Sequence, residues 1–240
     1  MTRVLVDADI IAYRHAFKAD TDLLRFEDMC DNIDEMVQYV AQRTTFGDGD
    51  VGLLDFFLTG DTNFRKELAT IAPYKGTRSK EKPSMFYEAR GYLRDEYNAT
   101  TSVDQEADDD IAIAAHGYDY KCTVASADKD FLQLPCTIYN WGRDTITKQD
   151  AKEATLFFYT QLLTGDSSDN IKGVPRIGPK KAAKIYEGLT EEYDLYKAAL
   201  ETYMTKYDND SALPALIENA RLLWLRREEG QMWEPPKEKE

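Results

Sequence analysis

Two short runs, VLVDADIIA from Val4 and TVASADKDF from Thr123, carry apolar, β-prone residues straight into aspartates. Each reads as a buried strand that ends at carboxylates. In an open α/β sheet ligands gather at the carboxyl ends of the strands, so a chain built this way brings acids from separate strands toward one end of the sheet. Asp7 and Asp128 are the first acids after these two runs.

Four acidic clusters punctuate the chain: Asp7/Asp9, Glu106/Asp108/Asp109, Asp128/Asp130 and Asp166/Asp169. Like charges brought within a few ångströms repel by several kcal/mol unless a cation neutralises them. A set of oxygen donors suits hard divalent ions such as magnesium or manganese. Zinc fits less well, because the only histidines are His15 and His116 and the cysteines Cys30, Cys122 and Cys136 have no CxxC spacing. Any one cluster has a plainer explanation, since acids after a strand cap the next helix and acids in a first turn complement its dipole. Four such clusters in one chain favour the metal reading.

Strand and helix signals alternate as in an α/β fold. RVLV is the first strand, followed by a helix from about Ile10, and the spacing of Ile33, Met36, Val37 and Val40 predicts a second helix over 28–45. GDGD at 47–50 is a turn before GLLDFFLTG, a second strand that delivers Asp61 at its end. NFRKEL is helical and Pro73 closes it; YKGTRSKEKP, residues 74–83, is a basic loop or lid. SMFYEARGYLRDEY is a helix, another starts near Glu106, KCTVASA is a third strand, and TIYNW a fourth with DTITK beside it. From Lys148 the signals are almost wholly helical, down to a charged tail, EPPKEKE, expected to fray. The expected architecture is therefore a mostly parallel central sheet flanked by helices, over 1–148, with a helical region over 149–240. The core is taken to include a basic loop or arch at 74–104.

A net charge of −14 argues at face value against a nucleic-acid partner. Charge location weakens that objection. Residues 65–82 hold Arg65, Lys66, Lys75, Arg78, Lys80 and Lys82 against Glu67 and Glu81, and residues 172–184 hold Lys172, Arg176, Lys180, Lys181 and Lys184 with no acid. Basic tracks on an acidic body favour a polyanion bound along particular paths; a solvated lysine-rich face is the plainer alternative. No apolar run approaches the roughly 18 residues of a membrane span. The start, MTRVLVDAD, enters a strand without a signal peptide's apolar region, so a cytoplasmic location, in a bacterium or a phage-infected host, is expected, with reduced thiols.

Residues 165–188, GDSSDNIKGVPRIGPKKAAKIYEG and onward, carry a second signal. Pro179 suits a first helical position, and the amides of such a helix start can hold a phosphate beside Gly178, Lys180 and Lys181. That contact reads backbone and not bases. Alone it is weak evidence; directly after GDSSDNI it is much more specific.

Together, EADD, SADKDF and GDSSDNIKGVPRIGPKKA resemble the 5′-nucleases related to flap endonucleases, notably bacteriophage 5′-3′ exonucleases and the 5′-nuclease domain of bacterial DNA polymerase I, over roughly residues 3–188. The resemblance implies a PIN-like core and a helix-three-turn-helix at 165–188 that grips duplex DNA through Lys172, Arg176, Gly178, Lys180 and Lys181. It implies metal ligands at Asp7, Asp61, Glu106, Asp108, Asp128, Asp130, Asp166 and Asp169, holding two Mg2+ ions for which Mn2+ can substitute. Asp9 is not counted among them. YKGTR matches a family loop, which implies that Tyr74, Lys75 and Arg78 act beside the scissile phosphate. The implied activity is metal-dependent hydrolysis near 5′ ends, flaps or nicks of DNA, with RNA primers on RNA–DNA hybrids as a further substrate, by a monomer. Two other readings stand beside it: a PIN-like ribonuclease, and a DNA-junction binder without catalysis.

Overall fold

The computed structural model describes residues 3–45, 50–78 and 81–238, with the side chain of Asn209 left out. Residues 47–49 of the expected turn, and Ser79 and Lys80 of the basic loop, lie outside the described residues. The chain forms two compact units, one of residues 1–63 and 79–149, the other of residues 64–78 and 150–240.

The first unit is built on a six-stranded sheet. Its strands are β1 (Arg3–Asp7), β2 (Leu54–Leu58), β3 (Thr100–Thr101), β4 (Cys122–Ala125), β5 (Thr137–Asn140) and β6 (Thr145–Lys148), in the order β3-β2-β1-β4-β5-β6. All neighbours are parallel except the β5/β6 pair. The expected architecture is thus observed. The chain runs outward from β1 to β2 in one direction and from β4 to β5 in the other, so β1 and β4 flank the point where strand order reverses, the usual place for a ligand crevice.

Helices α1 (Ala8–Asp22), α2 (Phe26–Thr44) and α4 (Phe86–Tyr97) share one core with Val4, Val6, Phe56 and Leu58. Leu5 points to the other side of the alternating strand, and α5 (Ala107–Gly117) packs against β1, β2 and β4. Burial on both faces explains why VLV has no polar interruption. Helix α1 begins two residues earlier than expected, so Asp9 lies in its first turn and Asp7 caps it, accepting from the Ile10 amide at 3.4 Å. The two-residue strand β3 carries no apolar run and escapes detection from sequence.

The second unit gathers α3 (Arg65–Leu68), α6 (Ala151–Thr164), α7 (Pro179–Ile185), α8 (Glu192–Met204) and α9 (Asn209–Leu223) around Tyr159, Leu162, Tyr203 and Leu216. A two-stranded ribbon, β7 (Gly165–Asp166) with β8 (Ile171–Lys172), interrupts the helices. Gly165 has φ 73°, and a Cβ on it would collide with the backbone of Ile171 and Gly173. Only glycine satisfies both demands. The sequence expectation put residues 74–104 with the sheet, whereas 64–78 pack with the helices. Arg65, 2% exposed, donates from Nε to the Leu222 carbonyl at 2.9 Å and from Nη2 to that of Trp224 at 3.0 Å. The amides of Thr70 and Ile71 both donate to Glu218 Oε1 at 2.8 Å. Arg65 is therefore a buried staple and not part of a basic surface.

His15 on α1 is 7% exposed, and neither ring nitrogen has a hydrogen-bond partner. Burial, then the positive charges of Arg14 and Lys18, lower its pKa from 6.5 to about 4. The unfolded chain therefore takes up this proton first as pH falls, so the stability due to neutral His15 is complete above pH 6.5 and is lost between 6.5 and 4. His15→Phe should remove a pH-dependent loss on the order of 3 kcal/mol over that window in urea unfolding. Equal pH slopes for the two proteins would contradict this.

Candidate functional site

The acids of the first unit stand at the carboxyl ends of its strands. Asp7, the last residue of β1, is 2% exposed. Its Oδ2 accepts from Ser126 Oγ at 2.8 Å, and the same Oγ accepts from the Asp128 amide at 2.9 Å. Ser126, fully buried, thus ties the end of β1 to the turn after β4. Asp128 Oδ1 in turn accepts from the Asp130 amide at 2.9 Å, which shapes the SADKDF turn. Burial, then the charge of Asp9 and more weakly that of Asp128, push the Asp7 carboxyl up to about 7, against the lowering effect of the Ser126 hydrogen bond.

Asp9 has a different task. Its Oδ2 accepts from the Thr59 amide at 2.6 Å, and its Oδ1 faces the Arg90 guanidinium at 3.3 Å without hydrogen-bond geometry. Arg90 also donates to the Thr59 carbonyl, and Thr59 Oγ1 accepts from the Ala107 amide at 3.1 Å. Thr59 therefore joins the end of β2 to α1, α4 and the start of α5. Glu106 caps α5, its side chain accepting from the Asp109 amide while Asp109 Oδ2 accepts from the Glu106 amide at 3.2 Å. Asp109, fully buried, is a helix cap, while Asp108 is half-buried in the first turn. Asp61 is exposed, three residues past β2.

In the second unit Tyr74, Arg78, Asp166 and Asp169 are neighbours. Tyr74 donates its hydroxyl to Asp169 Oδ2 at 2.8 Å, and Arg78 Nη2 donates to Asp169 Oδ1 at 2.6 Å. Arg78 Nε holds the Ser168 carbonyl at 3.0 Å, and the Lys75 amide holds that of Asp169 at 2.9 Å. Asp166 Oδ1 accepts from the amides of Ser168 and Asp169 at 2.7 and 3.3 Å, closing the GDSSDN turn. Lys172, Arg176, Lys180 and Lys181 are exposed, and Gly178 caps α7 in extended conformation with Pro179 at its first position.

Among the described residues no three His, Cys, Asp or Glu side chains form a group that could hold a metal ion. Several of the expected ligands have partners of their own: Asp7 is held by Ser126, Asp169 by Tyr74 and Arg78, and Asp166 by main-chain amides. Even so, the donor chemistry around β1 and β4 fits a hard cation. A buried carboxyl pushed up to about 7 by burial and by neighbouring carboxylates marks a concentration of negative charge that a divalent ion relieves.

Fold and site define an α/β protein whose strand order reverses at a cluster of carboxylates. No protein-family model matches the chain. It is 34% identical over 122 residues to flap endonuclease Xni of Shewanella halifaxensis (strain HAW-EB4), covering 45% of this chain and 48% of that protein. It is 31% identical over 220 residues to DNA polymerase I of Bacillus subtilis (strain 168), covering 83% of this chain and 24% of the polymerase. The chain thus spans about half the length, or less, of these curated relatives. Among solved structures, the T5 D15 protein co-crystallised with metal ions aligns with a TM-score of 0.61 at 19% identity, over 93% of this chain and 89% of that one. A bacteriophage T5 D15 flap endonuclease complex with DNA and metal ions aligns at 0.59 and 19%, over 93% and 86%. The chain is similar in sequence to this flap endonuclease and this DNA polymerase I and has the fold of the T5 protein.

Sequence reasoning missed Ser126, Thr59 and Arg90. Only Ser126 had a signal, its place between the strand and Asp128 in SADKDF. Ser126→Ala leaves the buried Asp7 without its side-chain donor and should cost about 1–3 kcal/mol in urea denaturation at neutral pH. An unchanged midpoint would show that Ser126 does not hold Asp7.

Proposed function

We propose that this chain is a divalent-metal-dependent 5′-nuclease that hydrolyses phosphodiester bonds near 5′ ends, flaps or nicks of DNA, and RNA in RNA–DNA hybrids, acting as a monomer. The observation that carries the reading is Asp7, buried at the sheet's reversal point with Asp9 and Asp128 raising its pKa. Support comes from the homologous flap endonuclease, and from T5 relatives whose structures hold metal ions and DNA.

In this reading Asp7, Asp61, Glu106, Asp108, Asp128 and Asp130 hold divalent ions in the first unit, and Asp166 and Asp169 have the same role in the second. Two Mg2+, or Mn2+ in their place, would supply a water of lowered pKa and stabilise the leaving oxygen when bound there. The chain's own residues do the rest. Ser126 orients Asp7, and Thr59 with Arg90 engages Asp9, so that it aligns the start of α1 and is not a ligand. Arg78 and Lys75 counter negative charge on a phosphoryl group, with Tyr74 and Asp169 fixing where the guanidinium sits. Lys172, Arg176, Lys180, Lys181 and the Gly178 turn hold duplex backbone, as a helix-three-turn-helix does. No helix among the described residues is long and apolar enough to cross a membrane. We place the protein in the cytoplasm of a bacterium or an infected host.

The test is cleavage of 5′- and 3′-labelled flap, nicked and blunt duplexes with and without magnesium, read by product length. Wild type should cut near 5′ ends only with the ion. Asp128→Ala should lose about two orders of magnitude or more in rate while still binding DNA. The double variant Lys180→Ala, Lys181→Ala should weaken duplex binding and flatten its salt dependence by about one unit of slope per lost phosphate contact. Cleavage by Asp128→Ala at the wild-type rate in magnesium would overturn the assignment.

A further inference from the structure

At the carboxyl ends of β2 and β3 a cavity of about 550 Å³ opens on the first unit, lined by Gly60, Asp61, Thr62, Tyr87, Arg90, Arg94 and Ser102 among others. A second cavity, of about 360 Å³, lies by the first residues of β2 beside Asp55 and Glu96 and has no cationic lining. The first has a composition that selects its ligand. Tyr87, on α4, is 70% exposed and touches Phe86 by an edge contact at 5.4 Å, so a face of its ring is open to solvent. Arg94, about two helical turns further on, keeps its side chain 60% exposed, with Nε on the adjacent Asp95 at 3.0 Å. Ser102 is 4% exposed, and its Oγ has no hydrogen-bond partner, which is costly for a buried hydroxyl. The walls are held in place: the Ser102 amide donates to the Leu58 carbonyl at 2.8 Å, and the Asp104 amide to Thr62 Oγ1 at 3.1 Å.

An open aromatic face, a guanidinium and a buried polar atom that wants a partner match the parts of one nucleotide. An aromatic ring stacks a base of any sequence, a guanidinium takes a phosphate, and a volume of this size admits a nucleotide-sized molecule. Asp61 on the lining disfavours a doubly charged anion alone, so the phosphate falls to Arg94 while the base lies over Tyr87. Arg90, engaged with Asp9 and Thr59, fixes α4 against the strand ends and so sets the width of the cavity.

We propose that this cavity binds a single nucleotide unit, its base stacked on Tyr87 and its phosphate on Arg94. The proposal rests on the nuclease reading for the source of the nucleotide, which is either a released mononucleotide or one residue of an unpaired strand. The measurement is calorimetric titration of the full chain in EDTA, without turnover, with deoxynucleoside monophosphates, with the matching nucleosides, with inorganic phosphate, and with a duplex bearing a short single-stranded 5′ tail. Tyr87→Ala and Arg94→Ala should each weaken nucleotide binding about tenfold, Tyr87→Phe should keep it, and nucleoside or phosphate alone should bind at least tenfold more weakly. Dependence on Tyr87 and Arg94 seen only with free nucleotide assigns a product site; seen only with the tailed duplex, it assigns a site for a residue within the strand. If neither ligand binds in a way that depends on both residues, the proposal is overturned. Because no cleavage is involved, that failure leaves the nuclease reading standing, and a chain that binds here yet never cuts overturns the nuclease reading alone.

Discussion

A carboxylate buried where the strand order of a sheet reverses, with two other acids near enough to raise its pKa, is the constraint on which this structure turns. Asp7 is close to fully buried, and burial alone disfavours its charge before Asp9 and Asp128 add to the penalty. Structures tolerate such a group only when nearby donors hold it, and here Ser126 supplies the strongest side-chain bond. The elements around it follow from that need. Ser126 must end β4 beside β1, which the parallel β1/β4 register with Val6 opposite Ala125 provides. Thr59 must end β2 beside Asp9, which the β1/β2 pairing with Asp7 opposite Phe57 provides.

The helical unit solves a similar problem by other means. Asp169 is 9% exposed and has both carboxylate oxygens engaged, one by Tyr74 and one by Arg78. The ion pair is much less exposed on the Asp169 side than on that of Arg78, at 12% against 50%. The carboxylate is thus the fixed member, and the guanidinium the one that reaches to solvent. Residues 64–78 owe their place to this pair, to Arg65 on carbonyls at the end of α9, and to Asn170 Nδ2, which donates to the Pro73 carbonyl at 2.9 Å. The first half of the expected basic loop, residues 74–78, is thereby anchored to the helices.

Much of this was legible before any coordinates. Strands buried on both faces read as apolar runs, so β1 and β4 announced themselves, and the acids that follow them fall at the strand ends. The GDSSDN turn was equally plain, because Asp166 closing it on two amides is local chemistry. What stayed hidden depends on long-range pairing. Nothing near Thr59 says that its amide will meet Asp9 fifty residues away, and nothing near Arg65 distinguishes a buried staple from a surface charge. The donors that each carboxylate takes from its own surroundings, such as Ser126 for Asp7 and Tyr74 for Asp169, were likewise out of reach of the sequence.

Whether Asp7 and its neighbours hold a divalent cation is tested by ligand linkage without any substrate. An ion that binds the native state alone raises the thermal midpoint as its concentration exceeds the dissociation constant. Thermal unfolding of the full chain should shift upward on adding magnesium or manganese, and the shift should be lost in the double variant Asp7→Asn, Asp128→Asn. An equal shift in the double variant, or none in the wild type, would contradict the claim.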